Sequence, residues 1–312
     1  MKIMKSKFFL IVALAFIVAV FSSCAYLKPT NKSQENTLLW EVRYKNDTSK
    51  VMYFLGSIHI GIKEMYPLNP IIMEAFDKSD VLGVEFDVEN FDMSSLGMDL
   101  MLKLISFTET LDTKLPSELY QKLKTKLLEN EIPETVIDNL TPLGAALMLE
   151  VGSIINVLNS DDNIVDGIDK YFLQLANEQN KEIVEVESLN RQIQVLEEMN
   201  EFIVDYISSL LDRSENNSSE EEINSLFMAW IAGDIKVLEE LINAPYSSNP
   251  EIDAQLKNSL LYKRNDEMTN KIESYFRDNR TYFIVIGAGH FIGKRSIIYN
   301  LEKTGKYIIQ RK

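Results

Sequence analysis

The chain has 312 residues, 46% of them hydrophobic and 25% charged, and its 47 acidic residues outnumber 32 Lys and Arg for a formal net charge of −15. That balance argues against electrostatic binding of nucleic acid or of an anionic lipid surface. One cysteine in the whole chain removes disulfides, thiolate metal sites and cysteine nucleophiles from everything after Cys24.

Lys2, Lys5 and Lys7 precede an apolar stretch from Phe8 to Phe21, and Ser22-Ser23 then leads into Cys24. This is the pattern of a secretion signal over residues 1–23, with an apolar run shorter than the roughly 20 residues of a membrane span. Two small residues before a lone cysteine resemble a bacterial lipobox. The expectation is cleavage at Cys24, lipid on that residue, and a protein anchored to a membrane of the bacterial cell envelope with its domain outside the cytoplasm. Polar residues dominate from Lys28 to Thr37, giving a tether over 24–37 before the domain begins at Leu38-Leu39-Trp40.

Six β-branched and aromatic runs read as strands: Leu39 to Tyr44, Val51 to Leu55, Val81 to Phe86, Glu182 to Val186, Tyr282 to Ile286 and Tyr307 to Gln310. Between about 92 and 180 the spacing turns helical, with Leu119, Leu123 and Leu127 or Leu143, Leu147 and Val151 as examples. A second helical block covers about 189–245, and a long helix with Leu256, Leu260 and Met268 leads into the fifth strand. The fold class is therefore α/β, a central sheet built from the N- and C-terminal segments of a 38–312 domain, with a large helical middle forming a lid.

Both histidines of the chain follow a strand-like run and stand in Gly-x-x-His, as Gly56-Ser57-Ile58-His59 and Gly287-Ala288-Gly289-His290. A strand that ends in a tight turn holds its imidazole at the carboxyl edge of a sheet, where ligands and catalytic groups collect in α/β folds. Glu85 follows the buried-looking Val81-Leu82-Gly83-Val84, where an ionised carboxylate needs a partner, and Glu187 ends a similar run. Glu85 and Asp87 share one face of their strand, as Glu185 and Glu187 share one of theirs. Arg264 lies on the helix before the second motif. Tyr53 and Tyr66 read as packing residues, and nothing in the spacing requires a role for Gln192, although its amide could hydrogen-bond a strand end.

The sequence resembles the TraB/GumN family, related to the Tiki metalloproteases and more distantly to erythromycin esterases and haem-binding ChaN-like proteins. The segments that carry the resemblance are FLGSIHIG at 54–61, YPL at 66–68, AFDKSDVLGVEFD at 75–87, GIDKYF at 167–172, VESLNRQ at 186–192, KRN at 263–265 and IVIGAGHFIG at 284–293. The resemblance implies an α/β fold whose site is formed by His59, Glu85, Glu187, Arg264 and His290. At 186 this chain has valine where the family usually has leucine.

Two functions follow. The first is a metal-dependent, peptidase-like hydrolase acting on a peptide or small molecule. His59, His290 and Glu85 would hold manganese, cobalt or zinc, Glu187 would take a proton from water, and Arg264 would stabilise the oxyanion. A variant replaces the metal with a histidine base oriented by a glutamate. The second is a binding lipoprotein without turnover that captures haem or another ligand through the same histidines. A structural reading, in which the histidines only pack the sheet, needs neither.

Overall fold

The computed structural model describes residues 36–87, 96–158, 164–215 and 218–312. The expected signal segment, Cys24 and all but the last two residues of the tether lie outside the described residues.

All six anticipated runs are strands of one sheet: β1 (Leu39–Tyr44), β2 (Asp47–Ser57), β4 (Val81–Val84), β6 (Glu182–Glu185), β7 (Tyr282–Gly287) and β8 (Tyr307–Arg311). Two strands of three residues, β3 (Ile60–Ile62) and β5 (Ile164–Asp166), form a separate antiparallel pair. The second of these interrupts the stretch expected to be helical throughout. The main sheet runs β6-β4-β7-β2-β1-β8. β6, β4, β7 and β2 are mutually parallel, whereas β1 and β8 complete the other edge antiparallel. This mixed sheet with helices around it is the α/β architecture the sequence implied.

Buried apolar runs explain the centre. Every residue of β4 and β7 is buried, as expected for parallel strands covered on both faces. Phe283 of β7 packs with Phe76 of the helix Pro70–Asp77 and Phe172 of the helix Ile168–Glu178, at ring separations of 5.5 and 4.9 Å. Phe54 pairs in register with Ile284 rather than Phe283, so it faces the other side, where it stacks on Phe291 at 5.6 Å. One hydrophobic core extends from the sheet into the helical middle. Trp230, on the helix Ser218–Ala232, donates Nε1–H to the Gly56 carbonyl at 2.8 Å, and the helix Ile235–Asn243 packs against the turn Ala288–His290. The helical middle thus reaches the ends of β2 and β7. Among the described residues no helix is long and apolar enough to cross a membrane.

Candidate active site

Because β6, β4, β7 and β2 run parallel, residues just past their ends share one rim. Glu187 follows β6, Glu85 follows β4, His290 follows β7 through a single 3-10 turn, and His59 follows β2. Adjacent parallel strands β2 and β7 therefore carry the two Gly-x-x-His motifs side by side, Gly56 pairing with Ile286 and Ser57 with Gly287. This rim is where α/β sheets bind ligands.

Gly287 lies at the meeting point. A Cβ there would stand 3.2 Å from Glu85 Oε1, 3.7 Å from His290 Cδ2 and 3.9 Å from His59 Nε2. The absence of a side chain keeps that space clear for the two imidazole edges. It also lets the Gly287 N–H donate to Glu85 Oε1 at 2.8 Å.

Glu85 is saturated in this arrangement. Its Oε2 accepts from Gln192 Nε2 and from Arg264 Nη2, both at 3.1 Å, and its side chain is 6% exposed. Arg264 also grips Glu187 through two parallel bonds of 2.8 Å, from Nε to Oε1 and from Nη2 to Oε2, and donates Nη1–H to the Leu260 carbonyl at 3.0 Å. Leu260 belongs to a π turn, Asn258–Tyr262, that directly precedes the helix Lys263–Tyr275 carrying Arg264. Burial alone would loosen the arginine's proton, but the Glu187 and Glu85 charges hold it firmly protonated. The result is a buried fork of one cation between two carboxylates, whose desolvation makes it an orienting frame rather than a source of net stability.

Each imidazole spends its Nδ1 on a different partner. His59 Nδ1 lies 2.8 Å from Asp169 Oδ2, and Asp169 Oδ1 accepts from the Ser57 hydroxyl at 2.5 Å. Burial would depress His59, but the charge and hydrogen bond of Asp169 outweigh it and raise the ring to about 9. His290 Nδ1 faces Asn265 Oδ1 at 2.6 Å. Burial, helped by the Arg264 charge, holds His290 well below the usual imidazole value, so it is neutral at pH 7. One ring is thus an imidazolium paired with a carboxylate, and its neighbour is a neutral base held by an amide.

The structure brings His59, His290, Glu85, Glu187 and Arg264 to one rim, but not in the expected arrangement. His59, His290 and Glu85 do not form a three-ligand set, because the Glu85 oxygens are turned to Gly287, Gln192 and Arg264. Among the described residues no group of three or more His, Cys, Asp or Glu side chains is placed to hold a metal ion. On each imidazole Nδ1 is the nitrogen already engaged, by Asp169 on His59 and by Asn265 on His290. Glu187 has both oxygens committed to Arg264. Asp87 lies outside the frame, its backbone N–H donating to Glu185 Oε1 at 3.0 Å.

Asp169 and Asn265 are functional neighbours that the sequence reading did not single out. Both lie inside quoted segments, GIDKYF and KRN, and a carboxylate in the first turn of a helix that opens on glycine was the available signal for Asp169.

The chain is 25% identical over 321 residues to the metalloprotease TIKI1 of Danio rerio, covering 88% of this chain and 63% of that protein. It is 23% identical over 334 residues to a metalloprotease TIKI homologue of Amphimedon queenslandica, covering 90% and 62%. It is likewise 23% identical over 252 residues to the uncharacterized protein YbaP of Escherichia coli, covering 78% and 85%. The chain therefore spans about three fifths of the Tiki proteins' length. No solved structure gives a significant match. A family model matches residues 38–310, and on that match the chain belongs to the TraB/PrgY/gumN family.

Proposed function

We infer that this protein is a peptidase-like hydrolase working with a divalent metal ion held by Nε2 of His59 and of His290. The observation that carries the reading is that both rings tie up Nδ1 while His59 Nε2 and His290 Cδ2, the neighbour of Nε2 in its ring, both border the space at Gly287. The names of the Tiki relatives support it. With nitrogen and oxygen donors and no thiolate, manganese, cobalt and zinc are the candidates. A bound ion of that kind supplies a Lewis acid and a water of lowered pKa.

The chain's own residues define the rest. His290 is neutral and offers its lone pair directly, whereas His59 must first release a proton, so metal uptake at pH 7 liberates about one proton. Glu85 is held at the wall of the space by three donors, and Arg264 with Glu187 keeps it there. Protein processed at Cys24 would carry this site outside the cytoplasm on a lipid anchor, so Cys24→Ala should move it from the membrane fraction to the soluble one or leave an uncleaved precursor.

The test is elemental analysis of the purified 24–312 protein together with cleavage of a fluorogenic peptide pool in added manganese, cobalt or zinc. Bound metal and cleavage in the wild type, with both lost by 100-fold or more in His59→Ala and His290→Ala, are expected. A folded wild type that takes up none of the three ions overturns the metal reading, and a Soret band in untreated protein favours haem capture instead.

A further inference from the structure

We propose that Asn265 is a positioning residue that fixes His290 as the Nδ1–H tautomer, leaving the lone pair on Nε2, next to the Cδ2 that borders Gly287. Its consequence for metal binding rests on the hydrolase reading above, while the tautomer itself does not.

The orientation of the Asn265 amide is determined by its other end. Asn265 Nδ2 donates to the Arg295 carbonyl at 2.9 Å, so the oxygen is the atom left to face His290 Nδ1 at 2.6 Å. Flipping the amide would set its oxygen against a carbonyl oxygen. A side-chain oxygen of this kind only accepts, so the proton in the His290 contact belongs to Nδ1 and Nε2 is bare. Asn265 is 2% exposed and His290 4%, which leaves water little access to compete for either group.

The Arg295 carbonyl is itself anchored to the helix that carries Asn265. The Arg295 guanidinium lies 4.5 Å over the Tyr262 ring and donates to Asp266 Oδ2 at 3.2 Å. Arg295 has φ 62°, a left-handed backbone that aims its carbonyl back at the helix. Tyr262, Asn265 and Asp266 therefore clamp the loop after the second Gly-x-x-His from one side. In the same stretch of chain, Arg264 orders the two carboxylates. Consecutive residues thus serve two halves of the rim, and a neutral amide sets the tautomer without adding charge beside Glu85 and Glu187.

With only His59 and His290 in the chain, a long-range ¹H–¹⁵N spectrum of protein labelled at the imidazole nitrogens contains two rings, assigned by a His59→Gln variant. In the wild type His290 is expected to show a protonated Nδ1 and a bare Nε2. In Asn265→Ala the ring is expected to shift toward protonated Nε2, and zinc or manganese affinity by titration should fall about 10- to 100-fold. Asn265→Asp keeps an accepting oxygen and should restore the Nδ1–H signature. A wild-type His290 protonated on Nε2 overturns the proposal without any variant, as does a folded Asn265→Ala that keeps the wild-type signature. A wild type with the expected tautomer that binds no metal supports the positioning role and overturns the metal reading instead.

Discussion

His59 and His290 pull the stability of the metal-free protein in opposite pH directions. His59 is raised from 6.5 to about 9 in the folded state, so the native protein holds a proton there that the unfolded chain gives up. That contribution is complete below about pH 6.5 and is lost as pH rises toward 9, at up to about 1.4 kcal/mol per pH unit. His290 is depressed instead, so below about 6.5 the unfolded chain takes a proton that the native state refuses, and stability falls on acidification. Urea unfolding between pH 5 and 9 checks both limbs. His59→Gln should flatten the alkaline limb and His290→Gln should reduce the acid one; parallel profiles for wild type and both variants would contradict the two environments. Arg264 makes a sharper case. Arg264→Ala strands two buried carboxylates and should cost about 3–5 kcal/mol, with Arg264→Lys intermediate because it keeps the charge but loses the fork. A loss below about 1 kcal/mol for Arg264→Ala would mean that the frame relaxes into water and does not orient the rim. His59, Glu85, Glu187 and His290 were legible from sequence because strand-like runs ended in ionisable groups, whereas Arg264, on a helix, stood out only through the KRN segment of the family resemblance. Asp169 and Asn265 were not legible, since each matters only through the tertiary contact that delivers it to a histidine.

The shortest elements do the delivering. β3 and β5 pair Ile60 with Asp166 and Ile62 with Ile164, and the Ile168 N–H donates to the Ile58 carbonyl at 3.0 Å. The helix Ile168–Glu178 starts right there, which sets Asp169 against His59. Gly167 is the pivot: a Cβ on it would stand 2.1 Å from the His59 carbonyl oxygen and 2.6 Å from that of Ile58, so no larger residue fits without parting the helix from the strand end. Gly167→Ala should therefore destabilise the protein by several kcal/mol and return the His59 ring toward 6.5, although it changes neither His59 nor Asp169. An unchanged His59 titration by NMR in a folded Gly167→Ala protein would remove this pair of strands from the account. Six longer strands could be read from β-branched and aromatic runs bounded by polar turns, most plainly β4 and β7, whose burial on both faces writes itself into composition. Three-residue strands carry no such record: Ile60-Gly61-Ile62 continues the apolar run of β2, and Ile164-Val165-Asp166 is lost in a polar stretch. Their pairing is non-local, and nothing in either segment names its partner.

At the scale of the molecule, the sheet interleaves the two ends of the chain, β7 entering between β4 and β2 and β8 closing on β1. Neither Gly-x-x-His motif can form its half of the rim alone, since Gly287 borders His59 and Glu85 reaches across to the Gly287 N–H. The site is therefore as stable as β7. That strand is buried at every residue and bonded to neighbours on both sides, whereas β8 lies at an edge with Ile308 48% exposed. Native-state hydrogen exchange should find the amides of Phe283 to Ile286 among the slowest in the protein, opening only with global unfolding, while those of β8 exchange through smaller openings. By the same logic a chain ending before Tyr282 loses the centre of its sheet and should remain unfolded despite keeping β1, β2, β4 and β6. β7 amides that exchange as fast as those of β8, or a folded truncated chain, would show that the N-terminal strands make a sheet without it, and the two histidine motifs would then be joined by loops rather than by the core.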